Sequence, residues 1–359
     1  VFSLMQFLFS PFWGKLSDQF GRRPILIYCL LGEGISYLVL AQSKSIEMLF
    51  VARILTGFFG ASISTASAYI SDITSREDRT KGMALIGAAF GLGFLFGPAI
   101  GGGLTILAKR YSQDQSFILT FSAYPVALLC FLTFIFAYFF LVESVDRKKI
   151  AEEKATRKQL HNIFEMFQKP ILGPLMLIFG MATLSMSMME STLVLFMKDK
   201  FSWGITEASF GFAYVGICIV FTQGYLVRKL IPRYGEKFII RLGLIGMATG
   251  FGFIALANSI WMMALAMTFL SVGNAFTNPS VLGSISLITP ADKQGVTLGT
   301  TQSLSALGRV IGPALGTLLF GAVSFSAPFW IGSLLLILNV FVVMKYYSQL
   351  PASNVKTAS

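Results

Sequence analysis

Charge is scarce in this 359-residue chain: 13% of residues are Asp, Glu, Lys or Arg, against 55% hydrophobic. That is about half the charge of a typical soluble domain, and it excludes a water-soluble globule. Histidine is nearly absent. With His161 alone, neither a multi-histidine metal centre nor a catalytic triad built on several histidines can form. The three cysteines, Cys29, Cys130 and Cys218, are odd in number and lie in apolar runs, so no disulfide framework is expected. Strands that alternate polar and apolar residues are missing too, which argues against a β-barrel. No metal, cofactor or enzyme chemistry is implied.

What the chain does have is long uncharged sequence. Runs of 27, 28 and 50 residues without a charge stand at 82–108, 115–142 and 242–291. Each membrane span needs roughly 20 apolar residues, so the class is an all-α polytopic membrane protein. Charge breaks and Gly/Pro punctuation place ten complete spans at 25–43, 47–71, 82–106, 117–141, 170–197, 207–228, 238–257, 261–288, 296–320 and 325–346. The apolar stretch from Val1 to Trp13 reaches only about 20 Å at 1.5 Å per residue, too short to cross. The chain has no initiator Met and no signal-peptide pattern, so its natural amino terminus is expected to lie upstream.

Lys and Arg number 28 against 17 acids. Topology explains the excess without nucleic acid as a partner. Placing 14–24 in the cytoplasm puts 21 basic residues on that side and five on the other, as the positive-inside rule requires. The carboxyl terminus is then cytoplasmic in a multi-pass protein of the plasma (inner) membrane. The one long hydrophilic stretch, 142–169, divides an amino-terminal bundle (1–141) from a carboxyl-terminal six-helix bundle (170–347), with a tail at 348–359. The halves repeat: Gly93, Gly97, Pro98 and Gly101 recur as Gly308, Gly312, Pro313 and Gly316, and Gly14 and Leu16 correspond to Gly224 and Leu226. Repeated helical units are how many secondary transporters are built, with the substrate site between the repeats.

Three motifs carry chemistry. Gly14, Asp18, Gly21, Arg22 and Arg23 fall in what reads as a short cytoplasmic turn, where acid and arginines can hold neighbouring helix ends. Leu49 to Gly57 surrounds Arg53. The stripe Gly93, Gly97 and Gly101 lets a neighbouring helix pack closely, either as ordinary small-residue packing or as a hinge. On these residues the chain resembles the major facilitator superfamily, whose fold is two pseudo-symmetric helical bundles. Within it, the fifth-helix motif is similar to that of drug/proton antiporters, including tetracycline exporters. The resemblance implies that the first helix and part of the second are missing, and it puts Arg228 opposite Asp18 in a degenerate second copy.

Ionised groups inside a bilayer are functional hypotheses by default. Arg53 has a coupling or gating role, or forms a structural pair, or snorkels to the outer interface. Glu190 binds and releases protons, or makes a buried hydrogen bond. Glu33 is a third candidate, without a clear polar stripe. Gln6, Asn274 and Asn278 are amides suited to a substrate cavity or to interhelical bonds. Glu143 or Asp18 is expected to engage Arg22, Arg23 or Arg79 in an inner gate. The 35 Phe and 15 Met chiefly face lipid or core and do not name a substrate. The expected function is secondary active transport: proton-coupled efflux of small amphipathic compounds by a monomer, with bilayer, protons and small-molecule substrate as partners. A proton-linked importer or facilitator of a small nutrient, or a non-transporting protein on the same scaffold, is the alternative.

Overall fold

The computed structural model describes residues 1–145, 169–203 and 205–346. Among them the chain forms twelve α-helices. The first six are α1 (Phe2–Phe20), α2 (Arg22–Ala41), α3 (Ile46–Gly60), α4 (Ile63–Ile73), α5 (Arg79–Lys109) and α6 (Gln115–Phe140). Then follow α7 (Leu172–Phe201), α8 (Ile205–Phe221), a π-helical turn at Thr222–Leu226, α9 (Val227–Leu256), α10 (Ile260–Ile288), α11 (Gln294–Ala322) and α12 (Ala327–Tyr346). The expected linker lies outside the described residues at 146–168, together with His161, and so does the tail at 348–359.

Among the described residues, nine stretches are long and apolar enough to cross a membrane. One, Phe210–Leu256, runs for 47 residues, twice the length a span needs. Gly235 breaks it with φ 74° and ψ 164°, so it holds two of the ten expected spans. Two expectations at the amino terminus are corrected. The apolar fragment does not stop at Trp13 but continues as helix to Phe20. The segment 14–24 is therefore not a turn; only Gly21, at φ 96° and ψ 161°, separates α1 from α2. Lys15 and Asp18 looked like loop residues, but both lie within α1, Lys15 exposed and Asp18 on its buried face.

The internal repeat shows in the caps. Ser45, at φ −133° and ψ 160°, accepts the Met48 amide at 3.3 Å to start α3. Ser259, at φ −142° and ψ 158°, accepts the Met262 amide at 3.3 Å to start α10. Both satisfy an amide that the first helical turn leaves without a partner.

The chain divides into two compact units. The first comprises Val1–Ile73, Pro98–His161 and Ala291–Ser303. Its core gathers Trp13, Ile25, Cys29 and Ala61 under Phe9, Phe58 and Phe59, and α2 packs along α6. The outer face of α6 leaves Leu128, Leu132, Phe136, Phe139 and Phe140 exposed, as a lipid-facing helix does. The second unit comprises Thr74–Gly97, Asn162–Pro290 and Leu304–Ser359. Here α9 lies against α10 and α12. A Cβ on Gly243 would fall 2.8 Å from the Gly273 carbonyl oxygen, so these two backbones touch as small-residue seams in membranes do.

Candidate functional site

In the first unit the Gly21 junction builds a buried charge cluster. Arg22 opens α2 and is 1% exposed. Its Nη1 donates to Asp18 Oδ1 at 2.6 Å and to Ser17 Oγ at 2.8 Å, and its Nε donates to Asp72 Oδ2 at 2.9 Å. Asp18 in turn accepts the Gly295 amide at 2.8 Å on Oδ1 and the Val296 amide at 2.8 Å on Oδ2. Those amides belong to the first turn of α11. Glu143 does the same for α2: it accepts the Arg22 amide at 2.9 Å and the Arg23 amide at 3.2 Å. Ser144 Oγ donates to Asp72 Oδ2 at 3.1 Å. Two carboxylates, Asp18 and Asp72, thus share one guanidinium, and the negative charge of Asp18 and Glu143 is placed on two helix amino termini, whose dipoles favour it.

The backbone permits this because α1 and α11 meet through glycine. A Cβ on Gly14 would collide with the Gly295 carbonyl, and one on Gly299 would sit 2.6 Å from the Ser10 carbonyl oxygen. Of the expected gate residues, Gly14, Asp18, Gly21, Arg22 and Glu143 are brought together. Glu143 engages backbone amides rather than an arginine side chain, and Arg23 turns away to donate from Nη2 to the Tyr138 carbonyl at 2.7 Å. Arg79 donates to Ser286 Oγ at 3.0 Å in the second unit.

The second unit carries a counterpart that the sequence comparison of the halves misplaced. The expected equivalence of Arg228 with Asp18 does not hold when the halves are aligned on their positive-φ glycines. Gly235 is followed by Glu236, which is 1% exposed. Its Oε1 accepts the Thr80 hydroxyl at 3.0 Å, and Thr80 stands in the first turn of α5. Sequence reasoning missed Glu236, Thr80 and the α11 amides, although the pair Gly235–Glu236 beside Gly21–Arg22 was a usable signal.

The glycine stripes part company. Gly308, Gly312 and Gly316 face α7: added Cβ atoms would fall 2.9 Å from the Leu184 nitrogen, 2.7 Å from Ser187 Cβ and 2.8 Å from the Met188 carbonyl oxygen. Pro313 lies between them inside α11. At Gly93, Gly97 and Gly101 a Cβ would meet nothing within 4 Å, so the expected close packing is corrected there; the Pro98 side chain lies outside the described residues. On α5 the contact face is instead Gly91, whose Cβ would sit 2.9 Å from Ile219 Cγ2, and Gly87, whose Cβ would collide with the Gln223 amide. Two residues further along a helix is about 200° round it, so the two stripes point apart.

At membrane depth, Glu190 of α7 is exposed and experiences the charge of Arg309 on α11, which also donates from Nη1 to Ser305 Oγ at 2.9 Å. Arg53 is exposed on α3, and Asn274 and Asn278 are half-buried on α10. Gln6 is buried on α1 and donates from Nε2 to the Gly60 carbonyl at 3.2 Å. Glu33 is half-buried on α2.

Membrane-length helices, paired caps and paired junction glycines define a polytopic helical protein made from a repeated unit, the organisation of a secondary transporter. The chain belongs to the major facilitator superfamily, whose sequence model, described as Major Facilitator Superfamily, matches residues 1–233 and again 175–359. Among its relatives, the Escherichia coli tetracycline resistance protein, class B, is 31% identical over 334 residues, covering 92% of this chain and 79% of the relative. The class D protein of Salmonella ordonez is 33% identical over 328 residues, covering 91% and 80%. In solved structures, the human organic anion transporter MFSD10 (TETRAN) aligns with a TM-score of 0.80 at 24% identity, over 95% of this chain and 82% of that one. The proton:xylose symporter XylE gives 0.75 at 16%, over 99% and 86%. These two show the fold. The chain is a multi-pass membrane transporter of this superfamily.

Proposed function

We propose that the protein exports small amphipathic compounds in exchange for protons by alternating access. The observation that carries the reading is that Glu190 on α7 and Arg309 on α11 feel each other's charge at membrane depth. A carboxylate that feels a guanidinium's charge stays ionised more readily than hydrocarbon alone would allow, and protonating it changes the charge that Arg309 experiences. The relatives named tetracycline resistance proteins support efflux as the direction. An apolar pocket of about 220 Å³ in the second unit, lined by Met197, Trp203, Phe212, Trp261 and Met267 among others, suits an amphipathic substrate, because thioethers and aromatics adapt to varied shapes.

In this cycle the Asp18–Arg22–Asp72–Glu143 cluster acts as a cytoplasmic gate that holds the amino terminus of α11. The sequence halves, 1–141 and 170–347, work as rocking bundles joined by 142–169, in a monomer with its carboxyl terminus in the cytoplasm. Arg53, Gln6, Asn274 and Asn278 serve the cavity. One proton moving inward down 100 mV releases about 2.3 kcal/mol, enough to concentrate a neutral substrate roughly fiftyfold at one-to-one exchange. The test is uptake of tetracycline into inverted vesicles under an imposed pH gradient. Wild type should accumulate the drug and Glu190→Gln should not; equal accumulation would remove Glu190 from coupling, and no gradient-driven uptake of tetracycline or other amphipathic drugs by wild type would overturn the efflux reading.

A further inference from the structure

Glu33 is a different kind of acid from those above. It is the twelfth residue of α2, so it lies about 16 Å from the Arg22 end at 1.5 Å per residue, near mid-membrane. Among the described residues its carboxyl makes no hydrogen bond and no ion pair. Asp18, Asp72 and Glu143 all have such partners, and Glu190 at least feels the charge of Arg309.

Its surroundings are shaped for a neutral polar group. Gly60 of α3 leaves open the point where two side chains converge: a Cβ there would lie 3.1 Å from Glu33 Oε1 and 3.6 Å from Gln6 Nε2. The Gln6 amide is occupied by the Gly60 carbonyl. The titratable and charged groups around Glu33 are Cys29 and Tyr37 on α2 and Cys130 on α6, all of which experience its charge, and Arg53 on α3, whose charge is felt at Tyr37. None of these neighbours is a cation held against the carboxyl.

An unpaired carboxylate at this depth costs several kcal/mol, whereas a carboxylic acid does not. We propose that Glu33 is a proton-binding site of the first unit, additional to Glu190. The site deepens the antiport reading and rests on it for its use in transport: it gives the cycle a second carboxyl, one whose charge no arginine offsets. Protonation of Glu33 leaves no charge at its site, while protonation of Glu190 leaves the positive charge of Arg309 on the neighbouring helix.

The experiment treats the purified full chain in lipid nanodiscs with dicyclohexylcarbodiimide and maps adducts by peptide mass spectrometry. A protonated carboxyl adds across the carbodiimide C=N bond, and the resulting O-acylisourea rearranges to a stable N-acylurea; a carboxylate does not start this sequence. Glu33 should carry the adduct at about pH 6 and lose at least tenfold of it by about pH 10, well above the range of ordinary carboxyls. Infrared spectra at the lower pH should show a protonated-carboxyl band that Glu33→Gln removes. An unmodified Glu33 together with an unchanged band in Glu33→Gln overturns the proposal, as does labelling independent of pH. Neither readout needs a substrate, so a protein that fails to expel tetracycline but carries the Glu33 adduct overturns efflux and leaves this site standing.

Discussion

Gly21 and Gly235, 214 residues apart, hold one backbone conformation: φ 96° and ψ 161° at the first, φ 74° and ψ 164° at the second. Each is followed by a buried charged residue, Arg22 and Glu236, of opposite sign. Each places a carboxylate on the first turn of a helix: Asp18 on α11 at Gly295 and Val296, Glu236 on α5 at Thr80. Thr80 and Gly295 are themselves 215 positions apart. The repeat thus preserves a geometry, a bent junction aimed at a helix start, while the residues that use it have changed.

This conformation is open essentially to glycine alone, so Gly21→Ala and Gly235→Ala should each lose about 1–3 kcal/mol. At Gly21 the added methyl also sits 2.8 Å from Glu143 Cδ. Gly252→Ala, in a helix with nothing within 4 Å of the new Cβ, should be neutral or slightly stabilising. Thermal unfolding in detergent compares the three.

Asp18→Asn should destabilise by about 3–5 kcal/mol, because it leaves a guanidinium that is 1% exposed short of a charge. Adding Arg22→Met should recover part of that loss. A double-mutant cycle on unfolding temperatures in which the two changes simply add would show that the pair is not coupled.

Thr80→Val deprives Glu236 of a buried hydroxyl donor at 3.0 Å and should cost about 1–3 kcal/mol. Thr80→Ser keeps the hydroxyl and should retain most of the stability. Equal unfolding temperatures for the two variants would mean that the bond contributes nothing.

Gly91→Leu and Gly97→Leu separate the two faces of α5. The first would force a side chain into Ile219 and Val220; the second would enter open space. The yield of folded, monodisperse protein should fall sharply for Gly91→Leu and stay near wild type for Gly97→Leu, as size-exclusion profiles would show.

The helices were legible because long uncharged runs have few other homes. What escaped were facts set by distant chain. Asp18 looked like a loop residue since its amide partners come from residues 295 and 296, and no local pattern announces a carboxylate that will be covered from there. The glycine stripe on α5 was misassigned because 87 and 91 satisfy the same four-residue spacing as 93, 97 and 101; only the positions of Ile219 and Gln223 choose between them. On α11 the stripe Gly308, Gly312 and Gly316 does pack closely, but against α7 of its own half and not against the opposite half. Glu33 was found as an acid in an apolar span, but its lack of a partner needed coordinates.

The junction at Gly21 has a practical side. Hydrophilic segments such as 14–24 are where tags are inserted and proteases are tried, and here that segment has a single residue outside helix. An epitope placed anywhere in it would have to be swallowed by α1 or α2, and a protease would find no extended backbone to grip. Among the described residues, the stretch between Ile73 and Arg79, where Ser75, Glu77 and Asp78 stand exposed, is the kind of non-helical chain that an antibody or a protease can reach.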